Sequence, residues 1–356
     1  MLLLGIFTWL VIEDFSLCDH CNIVFLMGLS GLSGGFDPLI LLVVGLIVEA
    51  IIGHLPIVRQ WQGNPTYIMR RYVLWCDDKL NRESRSGGDR AIRGGLAVLF
   101  LIILSGSVGW VLASLSQTIQ LIWILELWLV IILINQRETH ANVQRIGRAL
   151  RQNDLRAAQI NLGQITAEAV DQSDTFKIAG SGLEVCANAM ARDVVAPVFW
   201  YVLFGLPGLL VCTSVSIMAQ QIGNGTRMYQ AFGFSAARLN DIFQFVPARI
   251  AGLLIVIASI FVPTAKPGSA LKIMMRDAGK HHSFVTGWPL SAMAGALSLA
   301  FKGTHKSARE PTFVTWVGDG NAKITDRDIS LGLYLYGVSC LVNLAVVAGL
   351  TVFRMM

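Results

Sequence analysis

Charge is scarce in this sequence. Only 14% of its 356 residues are Asp, Glu, Lys or Arg, while 54% are hydrophobic and the mean hydropathy is +0.59. A soluble domain carries about 25% charged residues, so the shortage places the chain in a bilayer. No block of Lys and Arg interleaved with aromatics occurs, which argues against nucleic acid as a partner. The net charge of +5 fits loops that face an anionic leaflet. No G-x-x-x-x-G-K-[ST] stretch is present, so a P-loop nucleotide site is excluded at the level of sequence. Ser and His are plentiful, but no nucleophile elbow or catalytic-triad spacing is found. The six cysteines do not form a disulfide framework. Cys18 and Cys21 are spaced like metal ligands but lack a second ligand pair, so no metal site is assigned. The first residues, MLLLGIFTWLVIEDF, lack the basic region and cleavage site of a signal peptide, and their apolar run stops at Glu13 and Asp14. Spanning takes about 20 apolar residues, so residues 1–35 read as an N-terminal extension and 36–356 as one membrane domain.

Long uncharged runs are abundant. They lie near Leu39–Ile52, Leu96–Leu115, Ile119–Ile134, Ile250–Val262 and Leu331–Phe353. Val194–Thr213 is a further apolar stretch, interrupted by Pro197 and by Pro207 with Gly208, that reads either as a span or as a segment that dips in and returns. The expectation is an all-α, polytopic integral membrane protein with about five to six hydrophobic segments and large cytoplasmic-side loops, and strand-period alternation is scarce. Polar connections fall at His54–Arg93, Gln136–Asp193, Ser214–Arg249 and Pro263–Ser330. The first holds Arg70, Arg71, Lys79, Arg82, Arg85, Arg90 and Arg93, which orients it to the cytoplasm. Val143, Ile146 and Leu150 recur at helical spacing with Arg145, Arg148 and Arg151 off that stripe, so an amphipathic helix is expected there. Gly318, Asp319 and Gly320 read as a turn. Asn224 to Thr226 matches a glycosylation acceptor tripeptide, a pattern common by chance.

The stretch GFSAARLNDIFQFVPARIAG, Gly233 to Gly252, keeps Arg238, Asp241 and Arg249 close to apolar runs. Ionisable residues there mark either a functional site or an interfacial helix whose arginines reach the headgroups. The stretch resembles the CobD/CbiB family of adenosylcobinamide-phosphate synthases, whose pattern runs F-G-x-x-x-A-R-L-D-D, five residues, then P-A-R. Four further stretches agree in the family's order: GNPTYIMRRYVLWCDDKLNRE at Gly63–Glu83, DVVAPVFWYVLFGLPGL at Asp193–Leu209, HHSFVTGWPLSAMAGAL at His281–Leu297 and WVGDG at Trp316–Gly320. The resemblance implies a multi-pass protein of the bacterial inner membrane. It also implies a reaction of cobalamin biosynthesis: ATP-dependent amide formation between the corrinoid adenosylcobyric acid and an aminopropanol phosphate. Such chemistry would use ATP with Mg²⁺ held by carboxylates, and phosphate charge met by Arg, Lys or backbone N–H groups. On this reading Glu184, Asp193 and Asp241 are the catalytic candidates if the chain is active. Arg238, Arg249, His282, Asp277 and Asp319 are the candidates for substrate and phosphate binding.

Against the family pattern, many polar positions have changed. The histidine of G-H-P is Asn64, and G-R-D-[TP] is met by Gly163, Gln164, Ile165 and Thr166. In the E-S-x-A-E-N-x-x-D-G run, Asn188 replaces a glutamate, Ala189 an asparagine and Arg192 an aspartate. Ala219, Asn240 and Leu290 stand where other acidic residues are expected, and Phe284 and Val285 replace P-N. Packing residues such as Pro197, Pro207, Pro247, Gly287, Trp288 and Pro289 persist. Losing a metal- or phosphate-facing group commonly costs about 10²–10³ in rate. Two readings stand. A degenerate, non-catalytic paralogue, acting as scaffold, corrinoid binder or subunit beside other membrane proteins, is slightly favoured over an active divergent synthase. A transporter gated by the broken Val194–Thr213 segment ranks last, since no second matching half is present.

Overall fold

The computed structural model describes residues 37–53, 64–82, 86–119, 121–166, 173–223, 229–281, 283–304 and 314–356. The extension at 1–35 with Cys18 and Cys21, the tripeptide from Asn224 and the candidate His282 lie outside the described residues. What is described is helical almost throughout. In chain order the helices are α1 (Pro38–Ile52), α2 (Pro65–Leu80), α3 (Gly87–Thr118), α4 (Ile122–Leu133), α5 (Gln136–Arg151), α6 (Leu155–Gly163), α7 (Thr175–Ala189), α8 (Ala196–Ile222), α9 (Phe234–Ala258), α10 (Pro267–Asp277), α11 (Phe284–Leu297) and α12 (Asp326–Met355). One antiparallel hairpin, β1 (Phe301–Thr304) with β2 (Val314–Val317), pairs Phe301 with Val317.

Four stretches are long and apolar enough to cross a membrane: Gly87–Thr118, Thr175–Ile222, Phe234–Phe261 and Asp326–Met355, with the shorter apolar Pro38–Ile52 beside them. The chain is a multi-pass membrane protein. The apolar run Ile119–Ile134 forms only the 12 residues of α4, about 18 Å of helix against about 30 Å of hydrocarbon. The polar connections are themselves largely helical. α5 is the amphipathic helix that the spacing predicts: Val143, Ile146 and Leu150 are buried while Arg145, Arg148 and Arg151 are exposed.

Val194–Thr213 belongs to one long helical path. α7 and α8 are joined by a π-helical segment, Met190–Val195, and the path is broken within α8 at Gly205, whose φ of 66° and ψ of −151° suit glycine almost alone. At that break Gly208 lies against the Trp200 carbonyl and the Phe204 side chain, where no Cβ fits. Gly109 of α3 packs on Pro207 in the same way, which lets α3 lie along the second half of α8.

The prolines that break these helices also tie them together. Pro197 cannot donate to the Asp193 carbonyl four residues back, and the Asn135 N–H between α4 and α5 takes that acceptor at 3.1 Å. Pro247 leaves the Phe243 carbonyl open in the same manner, and the Trp200 indole N–H donates to it at 3.0 Å. Both breaks thus become cross-links between helices. The largest core joins α5, α7, α9, α10, α11 and the first part of α12 through residues such as Ile146, Leu183, Met190, Ile255, Met293 and Tyr336.

Candidate functional site

The segment that raised the first question spans the start of α9. Arg238 and Asp241 pair across 3.5 Å at i and i+3 on its exposed face, and the Arg238 guanidinium lies 5.5 Å from the Phe234 ring. Arg249, two turns on, donates to the Phe245 carbonyl and lies 3.8 Å from the Phe245 ring and 4.7 Å from the Trp288 ring of α11. It is held as a stacked cation, the arrangement that suits guanidinium best. The opposite face of α9 carries a feature that the sequence pattern did not show. Gln244 is fully buried, and among the described residues neither its Nε2 nor its Oε1 finds a partner; one turn back, Asn240 Oδ1 is buried and meets no donor among them either. Asn240 stands at the first acidic position of the family pattern, so the inward face of α9 remains polar where charge has been lost.

The end of α10 gathers a second cluster. Asp277 is completely buried and accepts from Arg276 Nε at 2.7 Å and Nη2 at 2.8 Å, from Lys280 Nζ at 2.6 Å and from the Gly318 N–H at 2.9 Å. Arg276 turns its other edge to Asp319, donating at 2.6 and 2.7 Å. Burial pushes the Asp277 carboxyl up, but the bonds from Arg276, Lys280 and Gly318 outweigh it and hold the carboxyl well below the ordinary carboxylate range. Hydrogen bonds from Arg276 likewise lower Asp319. Gly318 makes the turn possible with a φ of 92°, and a Cβ there would strike the Leu299 carbonyl. The two aspartates therefore clamp the glycine turn after β2 onto the end of α10. Arg276 and Lys280, which make that clamp, are not among the sequence candidates; Lys280 meets Asp277 at i, i+3, whereas nothing in local spacing links residue 276 to residue 319.

The third group lies where α11 begins. His281 is a histidine that the described structure brings to a candidate. Its buried ring places Nε2 at 2.9 Å from Glu184 Oε1, while Nδ1 meets the Ser283 N–H at 3.1 Å. With Nδ1 accepting, Nε2 carries the proton and donates to Glu184, which fixes the carboxylate on α7. Ser283 caps α11 through Thr286. Asp193, in the π-helical segment, is taken by its own neighbour: Arg192 Nε and Nη2 donate to its two oxygens at 2.8 and 2.7 Å. Arg192 stands where the family pattern has an aspartate, so this pair is new to the position. At the other end of the family pattern, Asn64 caps α2 by accepting from the Thr66 N–H at 3.0 Å, keeping the start of the helix in place of the histidine. Beyond it a cleft of about 490 Å³ between α2 and α3 is lined by Tyr72, Leu80, Asp89 and Arg93.

These arrangements decide what the donor set offers a divalent cation. Mg²⁺ takes an octahedron of oxygens, usually one or two carboxylates with substrate phosphates and waters. Among the described residues no three His, Cys, Asp or Glu side chains gather around one point. Asp193, Asp241, Asp277 and Asp319 each face a guanidinium, and Glu184 gives one oxygen to His281. Among the described residues, each candidate aspartate would have to give up a guanidinium to take a Mg²⁺ ion. What they form is a set of neutralised carboxylates, with Arg249, Arg276 and Lys280 partly exposed beside them.

Comparison with known proteins meets this geometry. Residues 42–336 match the family described as CobD/Cbib protein. A cobalamin biosynthesis protein CobD of a Sinorhizobium species is 30% identical over 310 residues, 85% of this chain and 95% of the relative. A CobD of Brucella melitensis is 29% identical over 317 residues, 88% and 97% of the two chains, and a CbiB of Salmonella choleraesuis is 27% identical over 310 residues, 85% and 94%. No solved structure matches the chain.

Proposed function

The chain belongs to the CobD/CbiB family, and from that premise we propose that it serves cobalamin biosynthesis as a multi-pass protein of the bacterial inner membrane that holds a corrinoid at its cytoplasmic face without closing the amide bond itself. One observation carries the reading: the candidate aspartates Asp193, Asp241, Asp277 and Asp319 are each matched by an arginine of the same chain, most closely at Arg192–Asp193 and Arg276–Asp277. A carboxylate committed to a guanidinium fork is a poor metal ligand, because the cation must displace a charge-assisted pair to enter. The replacements on the family pattern point the same way, since Arg192 puts a positive charge where an anion is expected, and Ala219 and Leu290 bring no ligand. The hydrophobic frame around these positions is retained, which is what a corrinoid-holding scaffold or a subunit beside other membrane proteins requires.

The second reading, a divergent active synthase, is favoured by Glu184 alone. His281 orients this carboxylate through one oxygen, and its side chain is 36% exposed. An oriented, partly solvated carboxylate suits a general base that takes the proton of an attacking amine. Complementation separates the two. In a strain lacking the synthase, this chain is expected not to restore cobalamin formation, while the purified protein retains adenosylcobyric acid on a gel-filtration column. Restoration that disappears in Glu184→Gln would establish the second reading.

A further inference from the structure

The cleft of about 490 Å³ between α2 and α3 takes no part in the corrinoid reading, and its two ends differ in chemistry. One end is aromatic and apolar. Tyr72 of α2 stacks on Phe100 of α3 with ring centroids 5.9 Å apart, and Leu96 and Ala97 continue that wall. The other end is charged, because Asp89 and Arg93 line it from successive turns of α3. Arg90 ties α2 to α3 at this end, donating to Asn81 Oδ1 at 2.7 Å. Spacing at i and i+4 favours a pair between Asp89 and Arg93, yet among the described residues neither side chain forms an ion pair. An acid and a base held apart in one cleft suit a ligand that carries both charges.

Both charges sit at headgroup depth. α3 is uncharged from Gly94 to Thr118, about 37 Å of helix rise, and α12 gives the same measure from Ile329 to Phe353. The hydrocarbon is about 30 Å thick, and the bilayer with its headgroups about 40–45 Å. Arg93 therefore stands just outside the hydrocarbon and Asp89 one turn farther out. On the inner side of Arg93, Leu96 and Phe100 are 59% and 55% exposed and carry the cleft into the acyl layer. The geometry points to a binding site for phosphatidylethanolamine: its phosphate accepts from Arg93, its ammonium donates to Asp89, and an acyl chain lies along Leu96 and Phe100. The order of the two charges along α3 is that of the lipid, whose amine extends beyond its phosphate. A phosphatidylglycerol head brings no cation to Asp89, and the quaternary amine of phosphatidylcholine has no N–H to donate. At about 490 Å³ the cleft lies within the ~300–1,000 Å³ of small-molecule sites, room enough for a phosphoethanolamine head.

Full-length protein, purified in detergent and stripped of lipid, is titrated with phosphatidylethanolamine, phosphatidylglycerol or phosphatidylcholine, and uptake is followed by native mass spectrometry. Wild type is expected to take up one phosphatidylethanolamine, at least about tenfold more tightly than the other two, the worth of one hydrogen bond to a charged group. Asp89→Asn, at an exposed side chain, is expected to erase that preference, and Asp89→Lys to turn it toward phosphatidylglycerol. Arg93→Gln is expected to weaken uptake of all three at least about tenfold, because each carries the phosphate. Arg70→Gln, at an exposed cation of α2 outside the cleft, leaves uptake unchanged. Equal uptake of the three lipids by wild type, or an unchanged preference in Asp89→Asn, would overturn the pairing of Asp89 with the amine. Uptake by Arg93→Gln equal to that of wild type would overturn the site.

Discussion

Replacing Asp277 by Asn should loosen the end of α10 by an amount that the contacts allow to be worked out. The wild-type side chain is fully buried and receives two bonds from Arg276, one from Lys280 and one from the Gly318 N–H. Asn keeps the shape and one acceptor oxygen but removes the charge and turns an NH₂ group toward a cation. Breaking a buried pair costs about 3–5 kcal/mol when the partner is stranded, and one hydrogen bond to a charged group is worth about 1.5–3 kcal/mol. Here the partners are not stranded: Arg276 and Lys280 are 41% and 43% exposed, and Arg276 retains Asp319. The expected loss is therefore about 2–3 kcal/mol. At about 2–4 °C per kcal/mol for large chains, that is a fall of about 4–12 °C in the unfolding midpoint, read in detergent by intrinsic fluorescence. Asp319→Asn is the internal control. Its side chain is 64% exposed, so the same Arg276 fork contributes far less there. A midpoint for Asp277→Asn within 1 °C of wild type, or an equal fall in both variants, would refute the assignment of Asp277 as the centre of the clamp.

Other outcomes follow from the same contacts. Both clamp carboxyls titrate below the unfolded value of about 3.9, so their stabilisation is complete above about pH 5 and is lost as the pH falls through the folded values. The midpoint difference between wild type and Asp277→Asn should accordingly stay flat from pH 8 to about 5 and close below about pH 4; a difference that shrinks between pH 8 and 6 would contradict this. Gly205→Ala forces a side chain into a backbone region that only glycine occupies freely and should cost about 1–3 kcal/mol, measured by the same melt. Trp200→Phe keeps an aromatic ring but strands the Phe243 carbonyl that Pro247 left open, which should cost about 1–3 kcal/mol. No change in that variant would show that the carbonyl finds another donor.

How far this molecule can be read from its sequence depends on where each interaction closes. α5 was legible because Val143, Ile146 and Leu150 follow the helical period and all three are buried. α12 was legible because one unbroken apolar run, Leu331–Phe353, fills most of its length. The passage from α7 into α8 was not, because Pro197 looks like a stop until the π-helical segment before it and the N–H of Asn135 resolve the lost bond. The same holds for the site. Arg238 with Asp241 is a local i, i+3 pair, the kind of contact that spacing on one helix makes legible. Asp277 and Asp319 were named as candidates for a phosphate-facing role, yet Arg276 joins them across 43 positions of sequence into a structural clamp. Glu184 finds its histidine 97 positions away, at His281. Long-range pairs of this kind leave no periodic trace, and a changed residue such as Arg192 reveals its purpose only when its partner Asp193 is seen to be neutralised.

The central claim is that this membrane frame keeps a corrinoid-sized role while its carboxylates are committed to arginines. The most direct measurement incubates the purified, lipid-reconstituted protein with adenosylcobyric acid, ATP, Mg²⁺ and aminopropanol phosphate and follows the amide product by mass spectrometry. The account predicts retained corrinoid and no product above the protein-free control. Mg²⁺-dependent product formed at about 1 s⁻¹ or faster, an ordinary enzyme rate, would contradict it.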